Sequence, residues 1–142
     1  MNLKNRSGFT LLEVIIVIII VGVLASLALP RFFSTVEYSR ATEAMQAIAT
    51  VRQSMERCYL MRVSYTGPCS TFGNLDVEDP NGSPNSHFNY TMTGAATTYT
   101  IIATRNTRDG GEGTGTIWLS LQAVAGLTAI IKGGTGPFGA VQ

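Results

Sequence analysis

One carboxylate, Glu13, stands at the head of an otherwise uncharged apolar run, Val14 to Pro30 (VIIVIIIVGVLASLALP). An ionised acid in a membrane helix costs roughly 2.5–3.5 kcal/mol near the centre and less near an end. A group retained at that cost is a functional candidate, and its partner has to be named. A countercharge becomes available if the chain is cut after Gly8. The new α-amino group of Phe9 would be a cation about one helical turn from Glu13, and the acid would also meet the favourable end of the helix macrodipole. Glu13 could pair with that amine on its own chain or on a staggered neighbour. Pairing between chains would fix the axial register of packed helices, the best-attested use of a buried polar pair.

The elements around Glu13 fit that chemistry. Phe9 to Pro30 holds 17 apolar residues out of 22. As helix the segment would be about 33 Å long, enough for the ~30 Å hydrocarbon layer of a bilayer. Lys4 and Arg6 precede it without an acid, which orients a span with its N-terminus cytoplasmic. A secretory signal peptide with a small-x-small site at Ser26-Leu27-Ala28, or a plain signal anchor, would share these features. Neither gains anything from Glu13. Gly22 and Pro30 are helix breakers inside the run, and Gly22-x-x-x-Ser26 offers a small surface for close helix contact.

Gly8-Phe9-Thr10-Leu11-Leu12-Glu13, set between basic residues and an Ile/Val-rich run, closely resembles the prepilin signature of type IV pilins and type II secretion pseudopilins. The resemblance implies cleavage between Gly8 and Phe9 by a membrane prepilin peptidase and N-methylation of Phe9. It gives Glu13 a part in subunit recruitment and register, with Gly22 and Pro30 flanking a segment that partly melts on assembly. It implies a helical homo-oligomer with other pilin subunits, and an inner-membrane platform and ATPase as partners. Thr35 to Tyr65, with Arg40-Ala41-Thr42-Glu43-Ala44 and Met55-Glu56-Arg57-Cys58-Tyr59, resembles the PilE-like type IV pilins.

After Pro30 the pattern becomes amphipathic. Phe33, Val36, Ala41, Ala44, Ile48, Val51, Met55 and Cys58 recur every three to five residues, predicting helix to about Leu60. Gly67-Pro68 ends any helix, and Gly73 to Asn89 is rich in turn residues. Strands are predicted at His87–Met92, Thr97–Thr104 and Thr116–Leu121, with Asp109-Gly110-Gly111 as a long hairpin loop. Ala123 to Lys132 fits a short helix or a strand. Trp118, Tyr90 and Tyr99 read as sheet core or cross-strand pairs. The fold class is α+β: a long N-terminal helix on a small antiparallel sheet of three or four strands, the pilin fold. The expected layout is a leader over 1–8, a transmembrane or filament-core helix over 9–30, an amphipathic half over 31–62, and a head over 63–142.

Cys58 and Cys69 are the only cysteines, and C-x10-C is neither a redox nor a zinc spacing. In an exported, oxidising compartment they predict a structural disulfide. Many pilins bridge near the C-terminus instead, so this chain departs from its relatives there. Asp76, Glu78 and Asp79 could offer oxygens to calcium, but Pro80 and Gly82 occupy positions that an EF-hand loop needs for ligands. A solvated turn is the expected reading, and Asp109 with Glu112 reads the same way. His87 has no second histidine with which to build a zinc cluster or triad. No Gly-x-Ser-x-Gly, P-loop or dinucleotide motif occurs, so neither an enzyme nor a cofactor is expected. Ten basic and nine acidic residues give a net charge of +1, with no basic excess for nucleic acid. Arg105 and Arg108 alone make a poor basic patch. Nucleic acid is therefore not an expected partner.

The sequence thus points to a structural subunit of a type IV pilus or pilus-like filament. The alternatives are a type II secretion pseudopilin and, from another class, a membrane-anchored periplasmic binding module. The precursor is expected in a bacterial inner membrane as a single-pass protein, and the assembled subunit in a periplasmic or extracellular filament.

Overall fold

A computed structural model describes residues 8–111, 113–124 and 127–139. The leader ahead of Gly8, with Lys4 and Arg6, lies outside the described residues, and so does Glu112. The chain divides at Val36/Glu37 into two units, and one helix, α1 (Leu11–Arg62), contributes to both.

In the first unit α1 is opened by Thr10, whose Oγ1 accepts a hydrogen bond from the Glu13 amide at 3.3 Å. Thr10-x-x-Glu13 is the capping-box spacing, so the sequence itself sets the helix start. Beyond the cap the helix is apolar on every side. Its large hydrophobic residues from Phe9 to Phe33 are between 40% and 82% exposed. A helix of this kind is covered by lipid or by other helices when it functions. Pro30 lies inside α1, where its missing N–H leaves the Ser26 carbonyl without a helical partner. Among the described residues, no atom outside the local backbone comes within 4 Å of a Cβ built on Gly22, so none of them demands glycine there.

In the second unit the rest of α1 buries Ala41, Ala44, Ile48, Val51, Ser54, Met55 and Cys58 on one face. The helix stops at Val63, whose φ of 55° is left-handed and whose N–H bonds the Tyr59 carbonyl at 2.7 Å. Glycine is the usual residue at that position. The disulfide between Cys58 and Cys69, with Cα atoms 5.6 Å apart, ties the helix end to the following turn.

The sheet is a four-stranded antiparallel meander: β1 (Phe88–Gly94), β2 (Tyr99–Arg105), β3 (Thr116–Val124) and β4 (Leu127–Gly134), in that order. Phe88 and Tyr90 of β1, Tyr99, Ile101 and Ala103 of β2, and Ile117 and Leu119 of β3 join the buried helix face in one core, which Phe138 completes. The α+β arrangement is therefore the expected one. Strand extents differ from the sequence reading: β1 and β2 begin one and two residues later, and β1, β2 and β3 run on to Gly94, Arg105 and Val124. The ambiguous Ala123–Lys132 stretch is strand where described, because it pairs with β3 through Leu121↔Ile130 and Leu119↔Lys132. Trp118 lies on the sheet face away from the core, in register with Gly133. A Cβ on Gly133 would come 2.7 Å from the indole, so the ring occupies the space a side chain would need.

Candidate assembly site

Gly8, Phe9 and Thr10 are exposed and precede regular helix, so the Gly8–Phe9 peptide bond is open to a peptidase. Phe9 is 82% exposed, and Glu13 is exposed in the first turn of α1. The cap explains how the two are positioned. Thr10 engages the Glu13 amide and not its carboxylate, and among the described residues that carboxylate enters no ion pair. It remains available for an amine. Sequence reasoning missed Thr10 as the positioning residue, although the T-x-x-E spacing was there to be read.

Several polar side chains of the second unit hold that unit together. Arg105 is 1% exposed and donates from Nε to Glu37 Oε2 at 3.0 Å, from Nη2 to Glu37 Oε1 at 3.3 Å and from Nη1 to the His87 carbonyl at 3.0 Å. Arg40 also donates to Glu37 Oε1, at 2.6 Å. The hydrogen bond from Arg105, with that from Arg40 behind it, holds the Glu37 carboxyl below its usual range against the opposing effect of burial. Arg105 is therefore buried, and of the two arginines that made a poor basic patch only Arg108 is exposed.

Asp76 accepts from Arg57 Nε at 2.7 Å and from the Ser54 hydroxyl. Arg57 first, and Ser54 after it, hold its carboxyl down at about 2. Asp79 accepts from the Asn81 amide at 2.8 Å and caps a short turn. Asp76 and Asp79 are therefore engaged in separate local tasks, and among the described residues no group of three His, Cys, Asp or Glu could hold a metal ion. His87 bridges elements: Nδ1 lies 3.3 Å from Glu43 Oε2 on α1, and Nε2 lies 3.1 Å from Asp109 Oδ2 in the β2–β3 loop. Tyr90 and Tyr99 are core residues whose phenols burial pushes up, Tyr90 to about 12.

An uncovered apolar helix, a carboxylate in its first turn and a small antiparallel sheet packed on its second half define a pilin-like subunit. Comparison with known proteins agrees. Residues 30–116 match the family described as type IV minor pilin ComP, DNA uptake sequence receptor, and residues 3–29 match the prokaryotic N-terminal methylation motif. The chain belongs to that type IV minor pilin family. It is 31% identical over 86 residues to type II secretion system core protein G of Pseudomonas aeruginosa, covering 59% of this chain and 58% of the relative. Over 56 residues it is 39% identical to a probable minor fimbrial protein of Dichelobacter nodosus, covering 39% and 35%. The type IV major fimbrial protein FimA of the same organism is 34% identical over 55 residues, with the same two shares. The chain thus matches between about a third and three fifths of the length of these relatives.

Proposed function

We propose that this chain is the precursor of a structural subunit of a type IV pilus or pseudopilus, cut after Gly8, N-methylated on Phe9 and assembled through α1. The observation that carries the reading is the exposed apolar first half of α1, whose one acid stands four residues after Phe9. Before assembly the helix spans the inner membrane with the leader cytoplasmic. On assembly it exchanges lipid for neighbouring helices, so the apolar residues need not meet water. The Phe9 amine of one copy and Glu13 of the next set the register, while Gly22 and Pro30 allow the intervening helix to loosen. A prepilin peptidase, a membrane platform and an ATPase act on the chain from outside. The chain's own role is structural and not enzymatic.

Two measurements test this. The mature protein should begin at N-methylated Phe9 by terminal sequencing and mass spectrometry; a start at Leu29 would mean a signal peptide. Glu13→Ala, expressed beside wild type, should be processed normally yet enter filaments at least tenfold less. Equal incorporation would remove the register role.

DNA reception is a second reading, favoured by the description of the matched family. In the second unit Arg40, Arg52, Arg57 and Arg105 are in ion pairs with acids. Arg62, Arg108 and Lys132 remain exposed without an acid partner among the described residues. A head that takes duplex DNA with these three cations would show a shallow salt dependence, with a log–log slope of about −3. Titration at several salt concentrations measures it, and no binding at low salt removes the reading.

A further inference from the structure

We propose that the tip of α1, Leu60 to Val63, seats in an acid-rimmed apolar groove on the second unit of another copy of this chain. The contact rests on the filament reading above. Leu60, Met61 and Val63 are 82%, 78% and 74% exposed, an apolar knob at a helix end that nothing among the described residues of its own unit covers. Arg62, within the knob, is exposed and enters no ion pair among the described residues. Val63 is held at φ 55°, a conformation in which a β-branched residue is an outlier and glycine costs least. The chain therefore presents an apolar side chain at a position where backbone energy alone favours none, which points to a use for that side chain outside the monomer.

The groove has the matching chemistry. It holds about 360 Å³ between α1 and the 77–83 loop, with Ala47, Val77 and Pro80 supplying apolar surface above the buried Val51. Glu78 and Asp79 rim it, and neither forms an ion pair among the described residues. That volume is near the lower end of the roughly 300–1,000 Å³ range of sites that enclose a compact ligand, enough for a few side chains. The basic knob and the acidic rim are electrostatically complementary, which favours this pairing over knob-to-knob contact.

Geometry makes the contact intermolecular. Val51 and Ala47 precede Leu60 by nine and thirteen residues on one continuous helix. At 1.5 Å per residue this is about 14–20 Å of rigid rod, so the tip cannot fold back on its own groove. Knob and groove are different patches of one chain, and pairing them is heterologous: each copy offers a free knob and a free groove to the next. Such contacts do not close on two subunits and can propagate as an open helix. Between copies whose α1 helices run parallel, the contact sets an axial offset of about 14–20 Å, larger than the ~6 Å of a Phe9–Glu13 pairing, so it joins copies further apart along the filament than those two residues do.

The test uses the full-length chain in cells that assemble it. Met61→Cys with Val77→Cys should give a ladder of covalent multimers from sheared filaments under mild oxidation, whereas either single variant should not. Arg62→Glu should lower filament yield at least fivefold, and adding Glu78→Arg should restore it. Val63→Gly should weaken filaments without lowering the melting temperature of the unassembled subunit, a split that a purely structural role would not give. Filaments of the double-cysteine variant without a ladder would overturn the contact, and a cross-link to a different subunit would overturn the choice of a second copy. If wild type forms no filaments and Glu13→Ala changes nothing, the filament reading itself has failed.

Discussion

Arg105 at the end of β2 holds Glu37 on α1 across 68 residues of sequence, with the guanidinium 1% exposed and Nε 3.0 Å from Oε2. The same guanidinium lies 5.8 Å from the centroid of the Phe88 ring. One side chain therefore binds the helix, the start of β1 and the end of β2.

Arg105→Met should destabilise the second unit by about 1–3 kcal/mol, because Glu37 and the His87 carbonyl lose their bonds to the guanidinium while Arg40 still compensates the Glu37 charge. Pairing it with Glu37→Leu should recover part of the loss, since replacing both partners leaves no half-satisfied carboxylate beside the core. Thermal unfolding of the detergent-solubilised protein measures both. Equal losses in the single and double variants would show that the pair does not act as a unit.

Acid stability should depend on Asp76. Its folded carboxyl lies at about 2, below the ordinary 3.8, so its contribution is present above the ordinary value and is lost as pH falls through about 2. Asp76→Asn should lower stability at neutral pH and flatten the acid limb between about 4 and about 2. A denaturation series in that window checks it; an unchanged acid limb would remove Asp76 from the account.

Alkali should act in the opposite sense through Tyr90. Its folded phenol is raised from 10.0 to about 12 by burial and by Glu43, so its contribution is complete below the ordinary value and fades as pH rises through about 12. Tyr90→Phe removes the ionisable group, and its stability should fall less steeply above pH 10 than that of wild type. Unfolding followed by circular dichroism at stepped pH is the measurement.

Loss of the Cys58–Cys69 bridge should cost roughly 2–3 kcal/mol in the chain-entropy account of a loop of about ten residues. The Cys58→Ser/Cys69→Ser variant and reduced wild type should then melt together. A double variant as stable as the oxidised protein would show the bridge to be energetically idle.

Gly133→Val should displace Trp118, because a Cβ there meets the indole at 2.7 Å. A cost of about 1–3 kcal/mol is expected for that overpacking, with a shift in tryptophan emission. Emission identical to wild type would mean that the ring does not sit over β4.

Much of the fold was legible because its signals are local. The apolar run, the every-three-to-five spacing from Ala41 to Cys58 and the Thr/Tyr/Ile-rich strands carry helix and sheet in short windows. What escaped depends on distance or on backbone energy. Arg105 looked like a surface cation because Glu37 is far away in sequence, and His87 looked isolated because Glu43 and Asp109 lie 44 and 22 residues off. Val63 carries no stop signal, yet it takes the left-handed cap. The β3–β4 pairing was ambiguous because a short apolar stretch fits helix or strand until its partner strand is known. At the assembly site Glu13 was legible from charge in an apolar run, whereas Thr10 required the cap to be recognised.

The uncovered apolar half of α1 also decides where supply is controlled. If the chain is the filament subunit proposed above, it passes only between lipid and packed helices and has no free aqueous pool, so its concentration per litre is not the variable that drives growth. The driving quantity is the number of copies per unit area of membrane. On that reading growth would drain a two-dimensional reservoir, and a modest change in membrane area or subunit synthesis would shift the balance as effectively as a change in contact strength.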